Sequence, residues 1–390
     1  MYNYIPLEQA ADILDSYRKP VNSKERLNLN KGKPLDELFP YYGATGQVGW
    51  IDSFLTDGEY ILLGEDGAPF LNPYAEKAYI IHGKTWVNNH AHILRSKTNN
   101  EFLCYYLNYF NYKKYVSGTT RLKLTQAQMR KIPIPNIPSD EQSRIVARIE
   151  ELFSKLDKAV DTLKTTKEQL EVYRQAVLKD AFQEKENIIR LGDAIEKPRY
   201  GTSKKCDYPC TANSTAVLRI PNIDTKNGRV DSSDLKYAEF NEKELEQLSL
   251  KNGDILIIRS NGSISLVGSS AIIRKCDTDK TYAGYLMRLR ILSKEKLLPK
   301  YLLYYLSSPD ARRYIESVAK STSGVNNINS QEISKLCVPL SSIEKQEKTV
   351  AEIEMKLSVY HEIEKSVDTV LVQADAMRQS ILKQAFEGAL

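Results

Sequence analysis

Gln175-Ala176-Val177-Leu178-Lys179-Asp180-Ala181-Phe182 and Gln379-Ser380-Ile381-Leu382-Lys383-Gln384-Ala385-Phe386 are two copies of one phrase, 204 residues apart. The same offset pairs Lys131-Ile132-Pro133-Ile134-Pro135 with Lys335-Leu336-Cys337-Val338-Pro339, Gln142 with Gln346, Val146 with Val350, and Ile149-Glu150 with Ile353-Glu354. Further upstream, 57–67 matches 252–262 at an offset of 195. A period this long is duplication of a whole module with its tail, not a solenoid repeat. The expected order is a module at 1–138, a spacer helix at 139–187, a second module at 188–341 and a second spacer helix at 342–390.

The tails read as helices. Residues 139–182 hold neither Pro nor Gly, a run of roughly 66 Å at about 1.5 Å per residue. Their apolar residues recur every seventh position: Ile149, Leu156, Leu163, Leu170 and Val177 form one series and Ile145, Leu152, Ala159, Thr166 and Tyr173 the other. The second tail repeats this with Ile353, Tyr360, Val367, Ala374 and Ile381, accompanied by Ile363, Val370 and Met377. Sustained heptads of this kind make a coiled-coil seam. Ser139 with Gln142, and Ser341 with Glu344, have the spacing of capping boxes. Only about five polar residues, 184–188, separate the first helix from the second module, so the second helix must return along the first. The expected fold class is α+β: two similar mixed α/β domains, separated by an antiparallel pair of long helices, with internal pseudo-two-fold duplication. The modules then sit at opposite ends of a rod, and two nucleic-acid-binding modules so held would read half-sites one to two duplex turns apart.

Composition is that of ordinary globular protein, with 42% hydrophobic and 27% charged residues. The N-terminal residues show no secretory signal and no run reaches 18 apolar residues, while five scattered cysteines suit reduced thiols, so a cytoplasmic location is expected. The net charge of +5 divides unevenly. Residues 1–138 carry +3 and 188–341 carry +7, whereas 139–187 carry −2 and 342–390 carry −3. Basic modules on acidic connectors suit a chain whose modules meet phosphate.

Strand-like runs at Tyr60–Leu63, Ala78–Ile81, Asp254–Ile258, Ser270–Ile273 and Leu286–Ile291 alternate with short helices, one expected over Glu101–Val116. Polar and aromatic loops punctuate them. Arg and Lys suit guanine edges and phosphates, and Asn and Gln can bond adenine in bidentate fashion. On this ground the candidate DNA contacts in module one are Arg18, Lys19, Tyr41, Tyr42, Thr45, Gln47, Lys84, Asn88, Asn89 and His90. In module two they are Arg199, Tyr200, Thr202, Ser203, Lys204, Lys205, Arg219, Asn222, Arg259, Ser260, Asn261 and Ser263. Taken alone the loops are weak evidence, since turns are always rich in Gly, Asn and Ser.

Tyr-Tyr-Gly-Ala-Thr-Gly at 41–46, Leu-Leu-Gly-Glu-Asp-Gly at 62–67, Arg-Tyr-Gly-Thr-Ser-Lys-Lys at 199–205, Leu-Arg-Ile-Pro-Asn-Ile at 218–223, Gly-Asp-Ile-Leu-Ile at 253–257, Arg-Ser-Asn-Gly at 259–262 and Ile-Leu-Lys-Gln-Ala-Phe-Glu-Gly at 381–388 together resemble the specificity (S) subunit of Type I restriction–modification systems. The resemblance spans the whole chain. It implies two target-recognition domains reading an asymmetric, bipartite double-stranded DNA site. It also implies helices that dock two methyltransferase (M) subunits carrying S-adenosylmethionine, joined by restriction (R) subunits that use ATP and Mg²⁺. Exposed helix positions such as Arg148 and Glu364 are then expected to face M. A coiled-coil adaptor between proteins and a free-standing duplicated regulator are the alternatives.

Catalytic signatures fail one by one. Asn72-Pro73-Tyr74 lacks the second proline of an amino-methyltransferase motif and reads as a turn, and no Walker-type Gly-x-x-x-x-Gly-Lys-Ser/Thr is present. Asp310 with Glu354 and Lys356 is a chance nuclease set. Cys206 and Cys210 with His90 or His92 have the wrong spacing for zinc. Glu65-Asp66 is better read as a turn than as a Mg²⁺ site, since module two has Ser260-Asn261 there. The chain is expected to be non-catalytic, with no cofactor or metal of its own and no membrane span.

Overall fold

The computed structural model describes residues 3–184, 187–208, 214–322 and 324–388. They form two compact units, Met1–Thr165 with Val367–Leu390 and Thr166–Ser366. Helix and strand are mixed in both, and two long helices, Ser139–Ala181 and Ile343–Phe386, each contribute one end to each unit.

Three sheets of unit 1 recur in unit 2. Tyr4–Pro6 pairs with Pro133–Pro135, as Asn187–Arg190 pairs with Cys337–Leu340. A four-stranded sheet in the order Ala11–Ile13, Ala91–Ser96, Tyr60–Gly64, Ala78–Ile81 matches one in the order Arg199–Tyr200, Leu286–Leu289, Ile255–Ile258, Ser270–Ile272. In the third sheet Phe39–Gly43 runs parallel to Lys84–Val87, and Ser214–Leu218 runs parallel to Thr281–Tyr282. The apolar runs at 60–63 and 255–258 are continuous because these strands are covered on both sides. Ile61 and Leu63 enter one core of unit 1 and Tyr60 and Leu62 another. Ile255 and Ile257, against Leu256 and Ile258, divide likewise between two cores of unit 2. Alternation along a strand sends neighbours to opposite faces.

The helix expected over Glu101–Val116 stops at Tyr109, and a short 3₁₀ turn follows at Tyr112–Lys114. Phe110 leaves helical geometry to place its ring 5.1 Å from those of Tyr112 and Tyr115. The helix Pro299–Leu306 is its counterpart in unit 2.

The repeated Gln and Phe of the tails now have jobs. Gln142 donates to the Ile137 carbonyl at 3.0 Å and accepts from Thr98 at 2.9 Å. Gln346 accepts from the Leu298 amide at 2.9 Å and donates to the carbonyls of Lys296 and Ser341. Each ties the start of a long helix to the loop before its module's aromatic helix. At the other ends, Phe182 packs its ring 5.1 and 5.2 Å from Tyr301 and Tyr305, and Phe386 packs 5.4 and 5.2 Å from Phe102 and Tyr106. The first long helix therefore finishes in the core of unit 2 and the second in that of unit 1.

Within each unit the two long helices are antiparallel. In unit 1 Arg378 pairs with Asp157. In unit 2 Tyr360 donates to Glu171 at 2.7 Å and Lys345 meets Glu184 at 2.8 Å. Ile149, Leu170, Val177, Ile353, Tyr360, Val367 and Ala374 are buried, and Leu156, Leu163 and Ile381 are half-buried. The companion series holds only in part: Ile145, Leu152 and Thr166 are half-buried. Ala159, Tyr173, Ile363, Val370 and Met377 are exposed, while Val146, Leu357 and Glu364 are buried and Phe153, Val160, Leu371 and Arg378 half-buried. Apolar character misleads here because the seam admits charged residues with partners: Glu364, expected on the outer face, is buried and takes the Lys226 ammonium at 2.7 Å. Arg148 is exposed. The second helix is capped by Ser342, whose hydroxyl accepts from the Lys345 amide, rather than by Ser341.

A buried polar network closes unit 1. His92 is fully buried, its Nδ1 2.7 Å from Asp15 and its Nε2 2.9 Å from the Leu124 carbonyl. Burial works to raise the Asp15 pKa, but hydrogen bonds from His92, the Ile93 amide and Gln126 outweigh it and hold the carboxyl below its ordinary value. Glu65, bonded by Arg18 and Lys123, is lowered in the same way. A carboxylate with a depressed folded pKa contributes stability above its unfolded value and loses it as pH falls through the folded one. Acid should therefore destabilise the protein below about pH 4, and Asp15→Asn should flatten that part of a urea-midpoint profile taken against pH. A profile unchanged by the substitution would refute the assignment.

Candidate nucleic-acid interface

In both modules the chain leaves the C-terminal ends of the parallel strand pair through loops that border a cleft. In unit 1 the cleft measures about 610 Å³ and is lined by Asn22, Arg26, Tyr41, Asn88, Asn89 and His90, among others. In unit 2 a cleft of about 550 Å³ at the corresponding place is lined by Thr202, Lys204, Arg219, Lys236, Arg259 and Tyr285, among others. The scaffold is shared and the side chains differ.

Several sequence-chosen residues in unit 1 are structural. Arg18 is spent on Glu65, on Asp15 at 3.1 Å and on the Ala91 carbonyl at 3.2 Å. Tyr41 is buried, its hydroxyl donating to the Val21 carbonyl and its ring lying 4.4 Å under the Arg26 guanidinium. Tyr42 is half-buried with its ring 5.9 Å from that of Tyr79. Asn88 is buried and accepts from the His90 amide at 2.8 Å. Lys84 is exposed at the far end of its strand from Asn88 and covers the Phe54 ring, so it lies outside the cleft. Lys19, Thr45, Gln47 and Asn89 are exposed. His90 sits at the rim, 2.6 Å from Asp66, which also takes Arg121 at 2.9 Å. Asp66 and Glu65 are thus neutralised by the protein's own cations. Arg26, which lines this cleft, was missed, as no motif in Ser23-Lys24-Glu25-Arg26 flags it.

In unit 2 the cleft gathers more of the chosen set. The Arg259 guanidinium lies 4.5 Å over the Tyr200 ring and donates to the Gly284 carbonyl at 3.2 Å. Arg219 donates to Asp234 at 2.9 Å. The buried Nε atoms of both arginines have no partner among the described residues. Lys204 pairs with Glu244 at 2.6 Å, and Lys205 is exposed beside Asp207. Thr202 and Ser203 border the cleft, while Arg199 is exposed on its strand. Asn222 is buried and spent on the carbonyls of Asp231 and Asp234, so it is a scaffold residue. Ser260 is buried and, with Asn261, pairs with Asn327 and Asn326 in a ladder; Ser263 meets Ser265 at 2.8 Å. Lys236 and the exposed ring of Tyr285 were missed. A lone Lys in a strand and a Tyr after Gly carry no signal of their own.

Gly201 is needed for packing. A Cβ there would lie 2.2 Å from the Tyr282 carbonyl oxygen and 2.4 Å from that of Ala283. Gly201→Ala should push the 202–205 loop off the cleft, weakening ligand binding at least tenfold by titration with modest change in melting temperature. Unaltered affinity would refute that role for the loop.

Asn72 accepts from the Tyr74 amide at 2.9 Å, an Asx turn as expected. No group of three or more His, Cys, Asp or Glu residues able to hold a metal occurs among the described residues. Cys210, one of the weighed zinc residues, lies outside them. No described helix is long and apolar enough to cross a membrane.

Fold and clefts together define a duplicated binding scaffold, two modules of one design with different linings. Residues 8–172 match the family model described as the Type I restriction modification DNA specificity domain. The chain is 30% identical over 270 residues to S.HindORF215P of Haemophilus influenzae, named as a type I restriction enzyme specificity subunit, covering 65% of this chain and 64% of that protein. It is 29% identical over 289 residues to the EcoKI specificity subunit of Escherichia coli, covering 70% and 61%. Its fold is similar to a solved chain from work on complex assembly and conformational transition of the type I R-M system, with a TM-score of 0.71, 17% identity and coverage of 100% and 98%. The chain is thus similar, over about two thirds of its length, to type I restriction specificity subunits. The matched segments span under two thirds of the length of these two curated relatives.

Proposed function

We propose that the chain is the non-catalytic DNA-reading subunit of a Type I restriction–modification complex. Residues 1–138 and 188–341 act as target-recognition domains, and 139–187 and 342–390 as spacer helices. The observation that carries this is the pair of clefts at the same topological position with different linings. One scaffold used twice with unlike side chains suits a bipartite, asymmetric site. Arg219, Lys236 and Arg259 meet phosphates or guanine edges, Tyr285 offers a stacking face, and Asn89, His90 and Arg26 serve the other half-site.

The long helices expose Met355, Val359, Ile363, Val370, Val372 and Met377. We assign these apolar positions to the docking of two M subunits, which bring S-adenosylmethionine for adenine methylation; R subunits bring ATP and Mg²⁺. The complex acts on DNA in the cytoplasm. Co-expression with the neighbouring M gene in a methylation-free host, followed by genome-wide mapping of methyladenine, tests the reading. Two unlike half-sites separated by a fixed gap are expected. A stable complex that methylates nothing would favour an adaptor role instead.

A further inference from the structure

Unit 2 contains a second cavity, of about 510 Å³, away from the cleft just described; none of its lining residues is shared with that cleft. It lies where the end of the first long helix, the start of the second, the helix Pro299–Leu306 and the Ile223–Val230 hairpin meet. Arg174, Lys226, Arg229, Lys300 and His361 converge on it, with Leu303, Leu357 and Tyr304 as its apolar lining. Two ion pairs already occupy part of this charge: Lys226 with Glu364 at 2.7 Å and Lys300 with Glu354 at 2.6 Å. Arg174 and Arg229 have no ion-pair partner among the described residues. Arg174 donates through Nη2 to the Lys226 carbonyl at 3.3 Å, but among the described residues its buried Nε has no partner, and neither has the buried Nε2 of His361. Orphaned buried polar atoms are rare, and each calls for a partner.

The hairpin that presents Lys226 and Arg229 is held firmly. Asp224 accepts from the amides of Lys226 and Asn227, and Gly228 occupies left-handed geometry at φ +62° against Leu303. Burial holds the His361 imidazole below its ordinary pKa; Arg174 and Arg229 act in the same sense, and Glu364 and Asp224 oppose them.

We propose that this cavity binds a phosphate group, either free or as the head of a small monoester whose organic body lies on Leu303, Leu357 and Tyr304. Two unmatched guanidinium charges suit a phosphate dianion, and arginine forks match its oxygens. The Arg174 Nε and a protonated His361 Nε2 complete the cradle. The site lies apart from the recognition cleft and does not rest on the DNA reading.

The test is calorimetric titration of the full chain with inorganic phosphate and, separately, with adenosine monophosphate, alongside NMR titration of the His361 ring. Binding of one or both is expected, with the His361 midpoint moving to higher pH on saturation. Arg229→Gln, an exposed substitution, should weaken binding at least tenfold, and His361→Gln should do the same with the fold retained by circular dichroism. Tighter binding of the monoester would identify the organic body as part of the ligand; equal binding would identify free phosphate. No binding of either, binding unaffected by both substitutions, or an unmoved His361 midpoint would overturn the proposal. Displacement of phosphate by duplex DNA of any sequence would overturn it as well, assigning the cavity to the DNA backbone.

Discussion

Phe386→Ala should cost about 3–5 kcal/mol of stability, the usual range for truncating a large buried aromatic. Its ring lies within 5.5 Å of the rings of Phe102, Tyr106 and Tyr109, centroid to centroid, and is almost wholly buried. Edge-on and stacked neighbours cannot all close on the vacated space, because Phe102 and Tyr106 sit on one short helix whose opposite side is already packed. In a domain of this size the loss corresponds to a drop in melting temperature of roughly 6–20 °C. Phe182→Ala provides the internal comparison, since its contacts with Tyr301 and Tyr305 are the same arrangement in the other unit. The two rings share no partner, so the double variant should show additive losses. Urea unfolding followed by fluorescence gives the numbers, and a cost below about 1 kcal/mol for Phe386→Ala would show that the helix end is not a true part of the core.

The second large effect concerns recognition. Removing Arg219 and Arg259 together should weaken DNA binding by about 10²–10⁴-fold, at about 1–3 kcal/mol for each charge-assisted contact. The same titrations repeated across salt concentrations separate two roles. A residue on phosphate lowers the slope of log affinity against log salt by about one, whereas a base reader leaves the slope intact and relaxes sequence preference. Arg259 is held by the Tyr200 ring and the Gly284 carbonyl, and is expected to read a base edge. Arg219, tied to Asp234, is expected to meet phosphate. Methylation mapping of the double variant should show the second half-site degraded and the first unchanged. Equal loss at both half-sites would contradict the division of labour between modules.

Much of this architecture is legible in the amino-acid sequence. Constant offsets exposed the duplication, and the Pro- and Gly-free tails exposed the long helices, because both are properties of the chain in one dimension. The companion series holds in the first helix at Ile145, Leu152 and Thr166 and fails in the second for a physical reason. Heptad reading rewards apolar residues, and this seam buries Glu364 and half-buries Arg378 while leaving Val370 and Met377 outside. Paired charges explain the first choice, and no count of hydrophobic residues reveals a partner such as Lys226, 138 positions away. Site residues suffered similarly. Arg18, Tyr41 and Asn222 have the chemistry of DNA contacts, yet each is consumed by partners brought together in folding. Of the chosen residues, Tyr41, Asn88, Asn89 and His90 line the first cleft and Thr202, Ser203, Lys204, Arg219 and Arg259 the second, whereas Lys84 and Ser263 line neither. Which side chains remain available within the clefts is decided by tertiary hydrogen bonds.

The last turn of the second long helix, seated in the core of the first unit, also dictates an order of events during synthesis. Domains ordinarily mature in the order in which they emerge from the ribosome. Here the unit assembled from Thr166–Ser366 has all its parts once residue 366 has been made, while the unit containing the N-terminal residues still waits for Phe386. The first module made is the last to be completed, so a nascent chain spends most of its translation with the Phe102–Tyr109 aromatic face uncovered, the interval in which a chaperone has most to protect.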